Sequence, residues 1–247
     1  MGCASSRELG SEEKAIVYAE GGLNFSKISA VEVDTTFRRN NCNGVIMQAH
    51  LIQMSNQLGF RILNSGCHVH IQGFYQTLKS AQGTYSIKDL LLLAILLSKG
   101  RAEIKSKLIY EVFDPLCTHQ LDISEVKKEI LIRMLTLAAN NLPKLVCSEQ
   151  VDSEVEMKIH KYIAKLLDAV DLALEQICEM LIVRGKIISQ DTFVEVFTNF
   201  QYGQLVTTTG LRTFLLDTRA KKPKKYGRSS TLSQGSIAEL PEPVKTA

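Results

Sequence analysis

Five residues in one short stretch carry the clearest chemistry of the sequence. Asp114, Thr118, Gln120, Asp122 and Glu125 stand at positions 1, 5, 7, 9 and 12 of the segment DPLCTHQLDISE. That is the spacing at which a twelve-residue loop wraps oxygen ligands around a hard cation such as calcium. Two positions depart from the pattern. Leu116 at position 3 offers no side-chain oxygen, and His119 takes position 6, where such a loop needs a glycine for its sharp turn. A residue with a Cβ reaches the left-handed conformation required there at a cost of roughly 1 kcal/mol. Asp122 and Glu125 also have a second explanation. Position 9 is the N-cap of the following helix and position 12 its third residue, so the two form a reciprocal cap worth about 1 kcal/mol whether or not an ion binds. His68 and His70 invite a metal reading, but residues two apart on a helix point to different faces.

The loop must be held by helices, and the flanking patterns predict them at about 103–113 and 123–139. The same loop geometry recurs in eroded form. Residues 39–50 place Asn41, Asn43, Gly44 and Ile46 at positions 3, 5, 6 and 8, with Arg39 and His50 at the ends where carboxylates belong. Residues 78–89 place Gly83 at position 6, Tyr85 at 8 and Asp89 at 12, with Ser86 and Asp89 as a capping pair. Around Gly185 two registers fit, one with Ile187 at position 8 and Asp191 at 12, the other with Ile188, Ser189 and Thr192 at 8, 9 and 12. Positions 1, 3 and 5 lack a carboxylate in either. An apolar residue at position 8 of all four loops suits a short antiparallel bridge joining loops in pairs. Capping signals at Ser11 and at Ser29 with Glu32 open two further helices, the second ending near Arg38. A long helix is expected from Ser153, its buried stripe running through Ile159, Ile163, Leu166, Val170, Leu174, Ile177 and Leu181. Leu90 to Leu97 is apolar on every face and predicts either a buried helix or one wall of a groove that accepts another helix.

The two ends of the chain read differently. MGCASSR fits an N-myristoylation signal at Gly2, with Cys3 beside it as a palmitoylation site. Two acyl chains are needed because one gives only marginal binding, about 10⁴ M⁻¹. From Arg219 onward seven Lys or Arg face two Glu, a charge of +5; taking this from the chain's +3 leaves residues 1–218 at −2. This tail is expected to be disordered. Lys221, Lys222, Lys224, Lys225 and Arg228 form a candidate contact with an anionic membrane. Ser229, Ser230, Thr231 and Ser233 are candidate phosphosites whose added charge would release it. Apolar content of 45% and charged content of 22% are ordinary for a soluble globular protein, and no run reaches the length of a membrane span. No apolar stretch within residues 1–20 reads as a signal peptide. The six cysteines contain no C-x-x-C pair and predict neither a zinc site nor a disulfide framework. No catalytic motif is present, so an enzyme is not expected, and a basic tail without interleaved aromatics does not suggest nucleic-acid binding.

With the turns at Gly44, Gly83 and Gly185, the carboxylates Asp114 and Glu125, and the acylation signal at Gly2, the chain resembles the neuronal calcium sensor and calcineurin B branch of the calmodulin-like EF-hand superfamily over about residues 12–215. The resemblance implies an all-α fold of two lobes, each a pair of helix–loop–helix units with a short β bridge between loops. The corresponding division is an acylated segment at 1–11, a first pair at 12–102, a second pair with an inserted helix at 103–216, and a basic disordered tail at 217–247. It further implies a regulator or adaptor at the cytoplasmic face of a membrane, holding an amphipathic helix of a protein partner, with myristoyl and palmitoyl groups and calcium in at most one loop. A constitutive structural subunit with every loop silent is the other expectation.

Overall fold

A computed structural model describes residues 9–63, 70–147, 153–183, 185–199 and 202–221. Among the described residues the fold is all-α, with four very short strands forming two two-stranded sheets. The chain opens with α1 (Ser11–Gly22) and then forms four helix–loop–helix units. The first joins α2 (Ala30–Arg39) through β1 (Val45–Ile46) to α3 (Gln48–Leu58), and the second joins α4 (Ile71–Thr77) through β2 (Tyr85–Ser86) to α5 (Ile87–Leu97). The third runs from α6 (Ala102–Phe113) through β3 (Gln120–Asp122) into one continuous helical rod. That rod consists of α7 (Ile123–Glu125), a π-helical stretch Val126–Leu131, α8 (Ile132–Thr136) and a second π-helical stretch Leu137–Asn141. After α9 (Ser153–Leu167), α10 (Val170–Ile182), β4 (Ile187–Ser189) and α11 (Gln190–Thr198) make the fourth unit, and α12 (Thr208–Lys221) closes the described chain.

Local sequence explains where the helices begin. Ser29 accepts the Glu32 N–H, Ser86 that of Asp89, and Ser189 that of Thr192, each satisfying one of the orphan donors of a first turn. At α7, Asp122 accepts the Ser124 N–H at 2.8 Å while Glu125 accepts the Asp122 N–H at 3.4 Å, the reciprocal cap expected from the sequence. Only the first loop departs, since Met47 precedes α3 without a side-chain cap.

The strands join the loops in pairs. β1 runs antiparallel to β2 with Ile46 opposite Tyr85, and β3 antiparallel to β4 with Leu121 opposite Ile188. The second pairing selects between the two registers around Gly185, because Ile188 lies opposite the position 8 residue of the third loop and Ser189 caps α11. Gly44, Gly83 and Gly185 all have positive φ. His119 does too, at 53°, and so does Cys117, at 53°, a second left-handed residue in the same loop that the sequence did not announce.

Every residue from Leu90 to Leu96 is at most 2% exposed. α5 lies between α2 and α6, so the apolar wall that could have formed a groove is covered from within the chain. α6 also packs on α11, so this one helix joins the two pairs into a continuous core. Phe25, Phe37 and Phe60 anchor the core in the first half, and Tyr110, Phe193 and Phe197 in the second.

Two expectations require correction. The long helix from Ser153 is two helices broken at Asp168–Ala169, although its apolar stripe is buried on both sides of the break and partly buried at Val170. Both halves pack on α12, and the break lets α9 also reach α1 while α10 reaches α11. The C-terminal segment also stays ordered beyond residue 216. α12 continues to Lys221 because Thr218 is buried against Gln176, its hydroxyl donating to Oε1 at 3.1 Å, and Arg219 reaches Asp168 at 3.4 Å. Gly2, Cys3, Lys222, Lys224, Lys225, Arg228, Ser229, Ser230, Thr231 and Ser233 lie outside the described residues.

Candidate functional site

The loop from Asp114 to Glu125 hangs between α6 and α7, and its residues largely satisfy one another. Asp114 is 5% exposed. Its Oδ1 accepts the Thr118 N–H and the Thr118 hydroxyl, both at 2.9 Å, and its Oδ2 accepts the His119 N–H at 2.7 Å. Burial alone would raise the Asp114 pKa, but these hydrogen bonds together hold it below the ordinary carboxylate value. The Thr118 hydroxyl also lies 3.0 Å from the Gln120 carbonyl. Asp122 is held below its usual pKa by the Ser124 cap, and Glu125 is bound back to the Asp122 N–H. The third loop is therefore closed by protein donors.

An ion fits this arrangement poorly. Leu116, at position 3, is 83% exposed and brings no oxygen, and a cation would compete for the Asp114 carboxylate with three donors already in place. Among the described residues no group of three or more His, Cys, Asp or Glu is arranged to hold a metal. Asp114, Thr118, Gln120, Asp122 and Glu125 do share one loop, as their spacing required. Lys221, the described member of the basic cluster, is exposed at the end of α12, and His70 begins α4. Tyr110 ties the third loop to the fourth, its buried hydroxyl donating to the Ile188 carbonyl at 2.8 Å. Burial and the nearby Asp114 push that phenol up to about 12, so it remains a donor.

A second cluster escaped the sequence analysis. Arg212 of α12 is fully buried between two acids of α1. Its Nη1 meets Glu20 Oε1 at 2.7 Å, its Nη2 meets Glu13 Oε1 at 2.8 Å, and its Nε lies 3.0 and 2.9 Å from the two Glu13 oxygens. Tyr162 of α9 donates to Glu13 at 2.6 Å, and Thr208 to Glu20 at 3.0 Å. Burial by itself would lower the Arg212 pKa, yet Glu20 and Glu13 raise it above an already high value, so the guanidinium stays charged. The available signal was the seven-residue separation of Glu13 and Glu20, which with Ile16 between them puts two carboxylates on the buried face of α1.

Lys105 is also nearly inaccessible, 3% exposed, and donates to the carbonyls of Leu96 at 2.9 Å and Val206 at 3.4 Å. It thereby caps the C-terminal end of α5, where backbone carbonyls lack helical partners. Burial pulls its pKa down to about 8.

Comparison with family models, curated proteins and solved structures returned no match. Among the described residues, no helix is long and apolar enough to cross a membrane.

Proposed function

We infer that this chain is an EF-hand-type scaffold that acts as a lipid-anchored regulatory or adaptor protein, with loops that hold their shape without an ion. One observation carries the reading: both pairs of helix–loop–helix units are bridged through the residues at position 8, Ile46 with Tyr85 and Leu121 with Ile188. Internal closure of the third loop by Thr118 and His119 supports ion independence, leaving Asp114 to Glu125 as the single place where calcium would enter. The acylation signal at Gly2 and Cys3 and the basic run from Lys221 to Arg228 support attachment to the cytoplasmic face of a membrane. α5 is enclosed, so an amphipathic partner helix would have to part α2 from α6 or dock elsewhere. Exposed aliphatics at the loop end of the second pair, with Leu116 83%, Val183 85% and Ile187 61% exposed, support the second route.

Thermal unfolding in chelator and in about 1 mM calcium tests the reading. A ligand present at a hundred times its dissociation constant stabilises by about 2.7 kcal/mol, which moves the midpoint of a domain this size by roughly 5–10 °C. The expected result is a change below about 2 °C. A rise of about 5 °C or more that Glu125→Gln abolishes would establish the third loop as a calcium site and overturn ion independence. Fractionation of cells expressing Gly2→Ala and Cys3→Ser tests the anchor separately; membrane association unchanged in both variants would remove that part.

A further inference from the structure

We propose that the cleft between α4 and the second π-helical stretch is a binding site for a small organic anion with a flat apolar body. The cavity there has a volume of about 480 Å³, within the range of small-molecule sites. Its polar groups share one character. Lys144 brings a cation, His70 an imidazole, and Asn140 and Asn141 two carboxamides, while no carboxylate is among the described residues that line it. Such a set meets a negative group with one charge-assisted and several neutral donors, and the Lys144 charge disfavours a positive one.

Two further observations point to an occupant. Gly73 sits inside α4 facing this cavity, and a Cβ built on it meets no heavy atom within 4 Å. Its φ is outside the left-handed range, so neither backbone conformation nor packing requires glycine. Gly210 makes the contrast, because a Cβ there would collide with the Gln204 carbonyl oxygen. Glycine weakens a helix interior relative to alanine, so Gly73 keeps open a flat floor beside Phe74 at some expense to its own helix. The opposite wall is Leu137–Asn141, wound as π-helix, a form that recurs at functional sites. Its last two residues both face the cavity, giving two adjacent amides to one ligand. A smaller space of about 280 Å³ shares Thr77 and Asn141 with the cleft, and its lining combines Leu78, Ile132 and Leu137 with the paired Asp89 and Arg133.

The test uses the full chain and two matched probes, naphthalene-1-sulfonate and naphthalen-1-ylmethylammonium, followed by the NMR side-chain amide signals of Asn140 and Asn141. The sulfonate is expected to bind saturably with a dissociation constant on the order of 1 mM or below, as a ligand of its size does at ordinary efficiency. It should bind at least roughly tenfold more tightly than the ammonium and lose roughly tenfold in Lys144→Gln, the effect of one charge-assisted contact. Gly73→Leu should fill the floor and abolish binding while melting as the parent does. Gly73→Ala, which should melt at or above the parent temperature, provides a milder obstruction that weakens binding. Absence of saturable sulfonate binding, equal affinity for the two probes, or undiminished binding by folded Gly73→Leu would each overturn the proposal.

Discussion

At the scale of single residues, the protein buries charge where the sequence gives little warning. Lys105 has an ordinary pKa of 10.5 when the chain is unfolded and about 8 when folded. Between those values the unfolded chain binds more protons, so this residue makes stability rise as pH increases from about 8 toward 10. Urea unfolding across that interval should show a rising contribution that Lys105→Met lacks, so the difference between the two proteins grows with pH; parallel pH profiles would refute it. The start of α7 was far more legible, since Asp122 and Glu125 form the reciprocal cap that their spacing predicts. Cys117 was not, because a left-handed φ at a cysteine follows from how Asp114 gathers Thr118 and His119, not from any preference of cysteine itself. Lys105 looked like a solvated helix residue because its acceptors, Leu96 and Val206, belong to distant segments.

At the scale of elements, periodicity and caps located most of the helices, and the apolar residue at position 8 of each loop foretold both bridges. Those signals are local, which is why they survive without tertiary information. The break between α9 and α10 is not local: the apolar stripe runs through it unbroken, and the turn lets α9 reach α1 and α10 reach α11 while both pack on α12. The end of α12 falls inside the stretch assigned to the tail for a related reason, since Arg219 and Lys221 resemble the start of a basic tail until Thr218 and Arg219 are seen held by Gln176 and Asp168. The start of α12 depends on Gly210, whose Cα lies against the Gln204 backbone. Gly210→Ala should therefore destabilise by about 1–3 kcal/mol through overpacking, even though alanine is the better helix former. Chemical denaturation decides; a neutral or stabilising alanine would mean that the preceding turn yields freely.

At the scale of the whole molecule, α1, α9 and α12 are bound around one buried arginine. Removing one partner from such a group leaves uncompensated charge, so Arg212→Ala should cost about 3–5 kcal/mol. The combination of Arg212→Met with Glu13→Gln and Glu20→Gln should recover much of that loss, because the cost comes from stranded carboxylates more than from the missing contact. Equilibrium unfolding of both proteins checks the pair, and equal destabilisation would show that volume and shape, not charge, set the penalty. The lock also imposes an order of events on biosynthesis. Glu13 leaves the ribosome 199 residues before Arg212, an interval of about 10–40 s at ordinary elongation rates. Throughout that interval Glu13 and Glu20 are made and their arginine is not, although Tyr162 follows Glu13 after 149 residues. The charge cluster that fixes the first described helix can thus close only near the end of translation.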